Sequence, residues 1–110
     1  MNVRRIVPDF ESFDVRASVE FYSELLGLEQ VMDHGWIVTL ADPKDTARQL
    51  SVASHDATAG QVPAVSIEVD DVDAAYKLAQ RMGAEIVHPL TDEPWGVRRF
   101  FVKSPDGHVL

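Results

Sequence analysis

The chain writes the same short amphipathic helix twice, and that repetition constrains its fold more than any other feature. Asp14 precedes a run in which Val15, Val19, Tyr22 and Leu26 recur at helical spacing, with Phe21 and Leu25 widening the apolar stripe. Gly27 ends it. Asp71 likewise precedes Val72, Ala75, Tyr76, Ala79 and Met82, and Gly83 ends the second run. A carboxylate at a helix start accepts hydrogen bonds from the first unpaired N–H groups, and a glycine at the end supplies the left-handed residue that closes the last turn. The two acids lie 57 positions apart and the two glycines 56.

Strand-like runs repeat in the same order around each helix. Residues 3–12 come before the first helix, and 28–32, 36–40 and 49–53 come after it. Around the second helix the runs are 64–69, then 84–88 and 97–103, with 109–110 opening a last one. The spacing predicts an α+β fold of duplicated βαβββ units. One domain, 1–110, would hold two modules, 3–53 and 62–110, joined by linker 54–61, whose small polar composition (HDATAGQ over 55–61) suits a connection. The helices would cover one face of a curved mixed sheet and leave the other face as a concave cleft. Turns are expected at Asp33-His34-Gly35, at Asp42-Pro43, over 89–96 and at Ser104–Gly107, and Pro8 would confine the first strand to an edge or a bulge.

With 45% hydrophobic residues, the 110-residue chain can build a core. It has no cysteine, which excludes disulfides, thiol catalysis and cysteine-bound metals. No apolar run has the length of a signal core or a membrane span, so the default expectation is a cytoplasmic protein. A net charge of −8 offers no basic footprint for nucleic acid or an anionic membrane. It suits a cationic or neutral small ligand, or serves solubility alone.

Strand alternation sorts residues between the two sheet faces. Val65, Ile67 and Val69 form an apolar, helix-side set, which leaves Ala64, Ser66 and Glu68 on the open face. On the first strand Pro8 and Phe10 take the helix side, and Val7, Asp9 and Glu11 the open side. Asp9, Glu11 and Glu68 would then converge, either as a merely solvated face or as an anionic cleft for a cation. Trp95, in the loop Glu93-Pro94-Trp95-Gly96, is placed to stack on a flat or cationic group or else to pack inside, and Trp36 opens an otherwise apolar strand. The four histidines, His34, His55, His88 and His108, fall in or beside turns without metal-ligand spacing and read as surface residues. No phosphate loop, HExxH or nucleophile elbow is present.

The duplicated unit, the Asp14-x-x-x-Ser18-x-x-Phe21-Tyr22…Leu26-Gly27 signature and the Ser104-Pro105-Asp106-Gly107 turn resemble the vicinal oxygen chelate superfamily of glyoxalases, bleomycin resistance proteins and extradiol dioxygenases. The segment Pro94-Trp95-Gly96…Arg98/Arg99-x-Phe101 is similar to bleomycin resistance proteins. That resemblance implies a metal-free homodimer whose clefts, built from both chains, sequester a cationic or aromatic molecule, with Trp95 as a wall. The residues expected at such a site are Trp95, Trp36, Asp9, Glu11, Ser66, Glu68 and Arg98. Open sheet edges also point to a homodimer. Enzymes of the superfamily hold a divalent metal at positions that fall here on Val7, Ala64 and Leu50 or Ser51, with a fourth at or beyond Leu110. No metal, cofactor or catalytic residue is therefore expected. The alternative is a metal-dependent lyase, isomerase or dioxygenase using Glu11, Glu68 or His108, and a third reading is a scaffold module with no small ligand.

Overall fold

A computed structural model describes residues 1–110. The chain forms two compact units, a continuous one of residues 7–62 and a discontinuous one of residues 1–6 with 63–110. The long first strand, β1 (Val3–Glu11), passes from the second into the first between Ile6 and Val7.

In the continuous unit, helix α1 (Val15–Leu26) starts where Asp14 accepts the Ala17 N–H at 3.1 Å and stops where Gly27 takes φ 67°. The Gly27 N–H there caps the Ser23 carbonyl at 2.9 Å. Strands β2 (Glu29–Asp33), β3 (Ile37–Asp42) and β4 (Asp45–Ala53) follow, in the spatial order β2-β3-β4-β1. β2/β3 and β3/β4 are antiparallel and β1/β4 parallel, so the sheet is mixed. Val19 of α1 packs with Val38 and Leu40 of β3, and Val15, Tyr22, Leu28 and Leu50 close around them. Each such aliphatic side chain, once fully buried, stabilises the fold by roughly 1.5–3 kcal/mol. Phe10 of β1 stacks on Tyr22 at 5.7 Å, which fixes the helix side of that strand as alternation required.

The discontinuous unit contains β5 (Val65–Val69), α2 (Val72–Arg81), β6 (Glu85–Asp92) and β7 (Arg98–Lys103). Asp71 caps α2 by accepting the Ala74 N–H at 3.0 Å, and Gly83 turns the chain out at φ 69°. β6 and β7 pair antiparallel. The Ser104–Gly107 turn closes with the Gly107 N–H on the Ser104 carbonyl at 2.9 Å, and Leu110 then exchanges two hydrogen bonds with Val102. The order strand, helix, strands thus occurs twice, in a mixed α+β fold.

Two strands extend four residues beyond the limits their sequence suggested. β4 begins at Asp45, and β6 runs on through Pro89 to Asp92, where a long turn was expected from residue 89. Proline ends a strand only where a ladder N–H is needed. β6 shifts register between Ile86 and His88 and again between His88 and Thr91, so Pro89 sits where pairing is already interrupted. Pro8 is similarly accommodated: β1 is not an outer strand, and its register with β4 begins one residue later, at Asp9. The connecting residues 54–61 hold neither helix nor strand but are not open coil. The buried Asp56 carboxylate accepts the N–H groups of Thr58 at 3.1 Å and Ala59 at 2.9 Å.

Candidate functional site

Alternation along β7 divides two adjacent arginines between the faces of the β6–β7 hairpin. Arg98 and Phe100 turn toward α2. There Arg98 Nη2 meets Asp73 Oδ1 at 2.8 Å, and Phe100 meets Tyr76 edge-on at 5.0 Å. Asp92 Oδ1 lies 3.1 Å from Arg98 Nη1. The hydrogen bond from Arg98 holds the Asp73 carboxyl below its ordinary range, and Asp73, then Asp92, raise the Arg98 guanidinium above its own.

Arg99 and Phe101 turn the other way and help build a compact cluster. The chain reverses between Glu93 and Val97, with the Glu93 N–H on the Val97 carbonyl at 2.7 Å and Gly96 at φ 92°. This turn swings Trp95 over Arg99 and buries Glu93, only 5% exposed. Arg99 donates from Nε at 3.0 Å and Nη2 at 2.7 Å to Glu93 Oε2. Its guanidinium lies between two rings, 4.9 Å from the centre of Trp95 and 4.7 Å from that of Phe101. His88 extends the layer at 5.3 Å from Phe101, and its Nε2 lies 3.5 Å from Glu93 Oε1. The cluster is a layer of rings and one cation, with a buried carboxylate that balances the charge.

In the continuous unit, the face of the sheet away from α1 carries a polar row. Asp9 is paired in register with Ser51, and Ser51 with Thr39, so the three side chains share one face of three neighbouring strands. All three are buried, and Thr39 Oγ1 and Ser51 Oγ are hydrogen-bonded at 2.7 Å. Trp36 is half-buried nearby in sequence, 6.2 Å from His55, whose Nδ1 pairs with Ser54 Oγ at 2.8 Å.

The residues expected from sequence are thus distributed as follows. Asp9 is buried and Glu11 exposed on the continuous unit, and Ser66 and Glu68 are exposed on the discontinuous one, with Glu68 3.5 Å from Arg5. Trp95 joins the hairpin cluster, whereas Arg98 lies on the opposite face with Asp73. Arg99, Glu93, Phe101 and His88 were missed. Alternation separates Arg98 and Phe100 from Arg99 and Phe101, but only the folded hairpin decides which pair meets Trp95. His88, expected at the surface beside a turn, is a mid-strand residue with its side chain 13% exposed, because β6 does not end at Pro89.

The positions where the superfamily's metal ligands fall carry no set of donor side chains in this chain. Val7 is buried and aliphatic, Ala64 has only a methyl group, Leu50 is apolar and the Ser51 hydroxyl is engaged by Thr39. No three His, Asp or Glu side chains gather as ligands. A divalent ion held by imidazoles and carboxylates does not fit these positions.

A twice-built strand–helix–strands unit with a polar or aromatic face turned away from each helix defines the class, and comparison with known proteins supplies the family. The model of the glyoxalase/bleomycin resistance protein/dioxygenase superfamily matches residues 12–110. The chain belongs to that superfamily. It is 30% identical over 108 residues to the uncharacterized protein YwbC of Bacillus subtilis (strain 168), covering 88% of this chain and 86% of YwbC. Among solved structures it is similar to a glyoxalase/bleomycin resistance protein/dioxygenase superfamily member from Vibrio splendidus 12B01, with TM-score 0.72 and 20% identity over 98% of this chain and 95% of that one. It is also similar to an NAD-dependent benzaldehyde dehydrogenase from Legionella pneumophila, with TM-score 0.75 and 18% identity over 96% and 94%. At these identities the structural likeness is one of fold.

Proposed function

We propose that this protein binds a small organic molecule without a metal ion and acts by holding it rather than transforming it. The observation that carries the reading is the donor set. The positions where the family's metal ligands fall offer Val7, Ala64 and a serine already bonded to Thr39. Sequestration needs only surface and charge, and both are supported. The Trp95–Arg99–Phe101 layer offers flat aromatic surface, and the net charge of −8 favours a cationic ligand with an aromatic part.

Two measurements on the purified protein test this. Elemental analysis after dialysis should find well under one divalent ion per chain, and one tightly held Zn, Ni, Mn or Fe per chain would establish the metal-dependent alternative instead. Tryptophan fluorescence should titrate saturably with cationic glycopeptide or aromatic antibiotics. Trp95→Ala should weaken that binding about 2- to 30-fold, the range for loss of one stacking contact. An equal fall in affinity and thermal stability would make Trp95 a packing residue and remove it from the site.

A further inference from the structure

His88 sits in the hairpin cluster in surroundings that suit neither of its neutral forms. Its Nε2 is shielded from solvent and makes no hydrogen bond. That nitrogen faces Glu93 Oε1 at 3.5 Å, on a carboxylate whose side chain is only 1% exposed. In the tautomer with its proton on Nδ1, Nε2 turns a lone pair toward a carboxylate oxygen, which is repulsive. In the other tautomer the Nε2–H faces that oxygen across a gap longer than the ~2.7–3.2 Å of an N–H···O bond. The imidazolium, a donor at both nitrogens, turns the same contact into a charge-assisted bond. Glu93 Oε2 is already taken by Arg99 at 2.7 and 3.0 Å, so imidazolium and guanidinium would hold one oxygen each. Glu93 from the turn and Arg99 from β7 are the charged groups of the hairpin that face His88. Arg98 lies on the opposite face with Asp73 of α2, and Lys103 is engaged by Glu85 at 3.2 Å.

We propose that His88 is a proton switch on the Trp95–Arg99–Phe101 layer, which releases a bound cation as pH falls. The proposal rests on the reading of that layer as the ligand surface. While His88 is neutral, the charges of Glu93 and Arg99 cancel. A proton taken from solvent draws the imidazole onto Glu93 and leaves the cluster with one net positive charge. That charge arises one ring away from the guanidinium, since Phe101 lies 5.3 Å from His88 and 4.7 Å from Arg99. At the effective dielectric of a partly buried site, a unit charge added a ring or two away weakens a monovalent cation about 4- to 20-fold. Histidine is the side chain whose charge ordinarily changes between about pH 5 and 8, which sets the window. The neutral form is the binding form, so affinity is full at the alkaline end and lost toward the acid end. Reciprocally, a bound cation must lower the pH at which His88 takes up its proton. A neutral aromatic molecule on the same layer meets no such repulsion.

Calorimetric titration with benzyltrimethylammonium, an aromatic cation that does not itself titrate, tests this at about pH 8 and about pH 5.5. The dissociation constant should be about 4- to 20-fold weaker at the lower pH, and that of neutral benzyl alcohol should not change. In His88→Gln, whose amide stays uncharged, the cation should bind alike at both. A second measurement needs no variant and holds even if His88→Gln does not fold. The imidazole proton NMR signals of His88 should move between about pH 5 and 8, and saturating cation should lower their midpoint by about 0.6 to 1.3 pH units, the same factor read from the other side. Saturation with one dissociation constant at both pH values, or a midpoint the cation leaves in place, overturns the switch while the layer stands as a ligand surface. No saturation at either pH overturns the ligand surface, and the switch falls with it. A pH dependence that persists in His88→Gln assigns the effect to other histidines and also overturns the proposal.

Discussion

Two neighbouring arginines hold opposite positions in the energetics of this protein. Arg99 neutralises a buried carboxylate, so Arg99→Met strands the Glu93 charge and should cost about 3 kcal/mol or more in urea denaturation. Arg98→Met, on the exposed Asp73 and Asp92, should shift the urea midpoint much less, because water screens that pair. Equal shifts would show that burial does not separate the two. Asp73 gives a prediction in pH. Its carboxyl titrates lower when folded than unfolded, so its contribution is present above the unfolded value and is lost as pH falls through the folded one. Asp73→Asn should therefore flatten the loss of thermal stability between about pH 5 and pH 2, and an unchanged acid limb would count against the ion pair. The doublet Arg98-Arg99 was visible in the sequence together with its proximity to Trp95. Which member faced the aromatic ring depended on one step of strand register that the sequence left unresolved.

At the level of elements, the helices were the most legible part of the chain because their signals are local. Asp14, Asp71, Gly27 and Gly83 cap within a few residues of themselves and need no distant partner. Asp14→Ala removes the acceptor for the Ala17 N–H and should cost about 1 kcal/mol, read as a lowered melting temperature. No change would mean that the Ser12 hydroxyl, which accepts from Asp14 N–H at 3.1 Å, can organise the helix start unaided. Strand limits were harder to place, since a strand ends where its neighbour stops pairing. Pro89 looked like a terminator, yet the register shifts of β6 left no ladder bond there for it to break, and His88 and Glu93 were consequently hidden from the sequence reading.

For the whole molecule, the duplication was legible because a period of 57 residues survives any uncertainty about single positions. The buried cluster was not, because Glu93, Arg99 and His88 acquire their roles only when a hairpin folds. If no structural metal is bound, chelation should leave the melting temperature unchanged and excess zinc should not raise it, whereas a ligand that binds the native state at 100 times its Kd should add about 2.7 kcal/mol. The split of the chain into a continuous and a discontinuous unit has a consequence for biogenesis. Residues 7–62 can assemble from neighbours that emerge consecutively from the ribosome. Asn2 must wait for Asp70, whose carboxylate accepts its backbone N–H at 2.7 Å, so the segment with Val3 and Ile6 stays unpartnered until residue 70 has been made. That interval is when a nascent chain would be most exposed to chaperone capture or to pairing with the wrong strand.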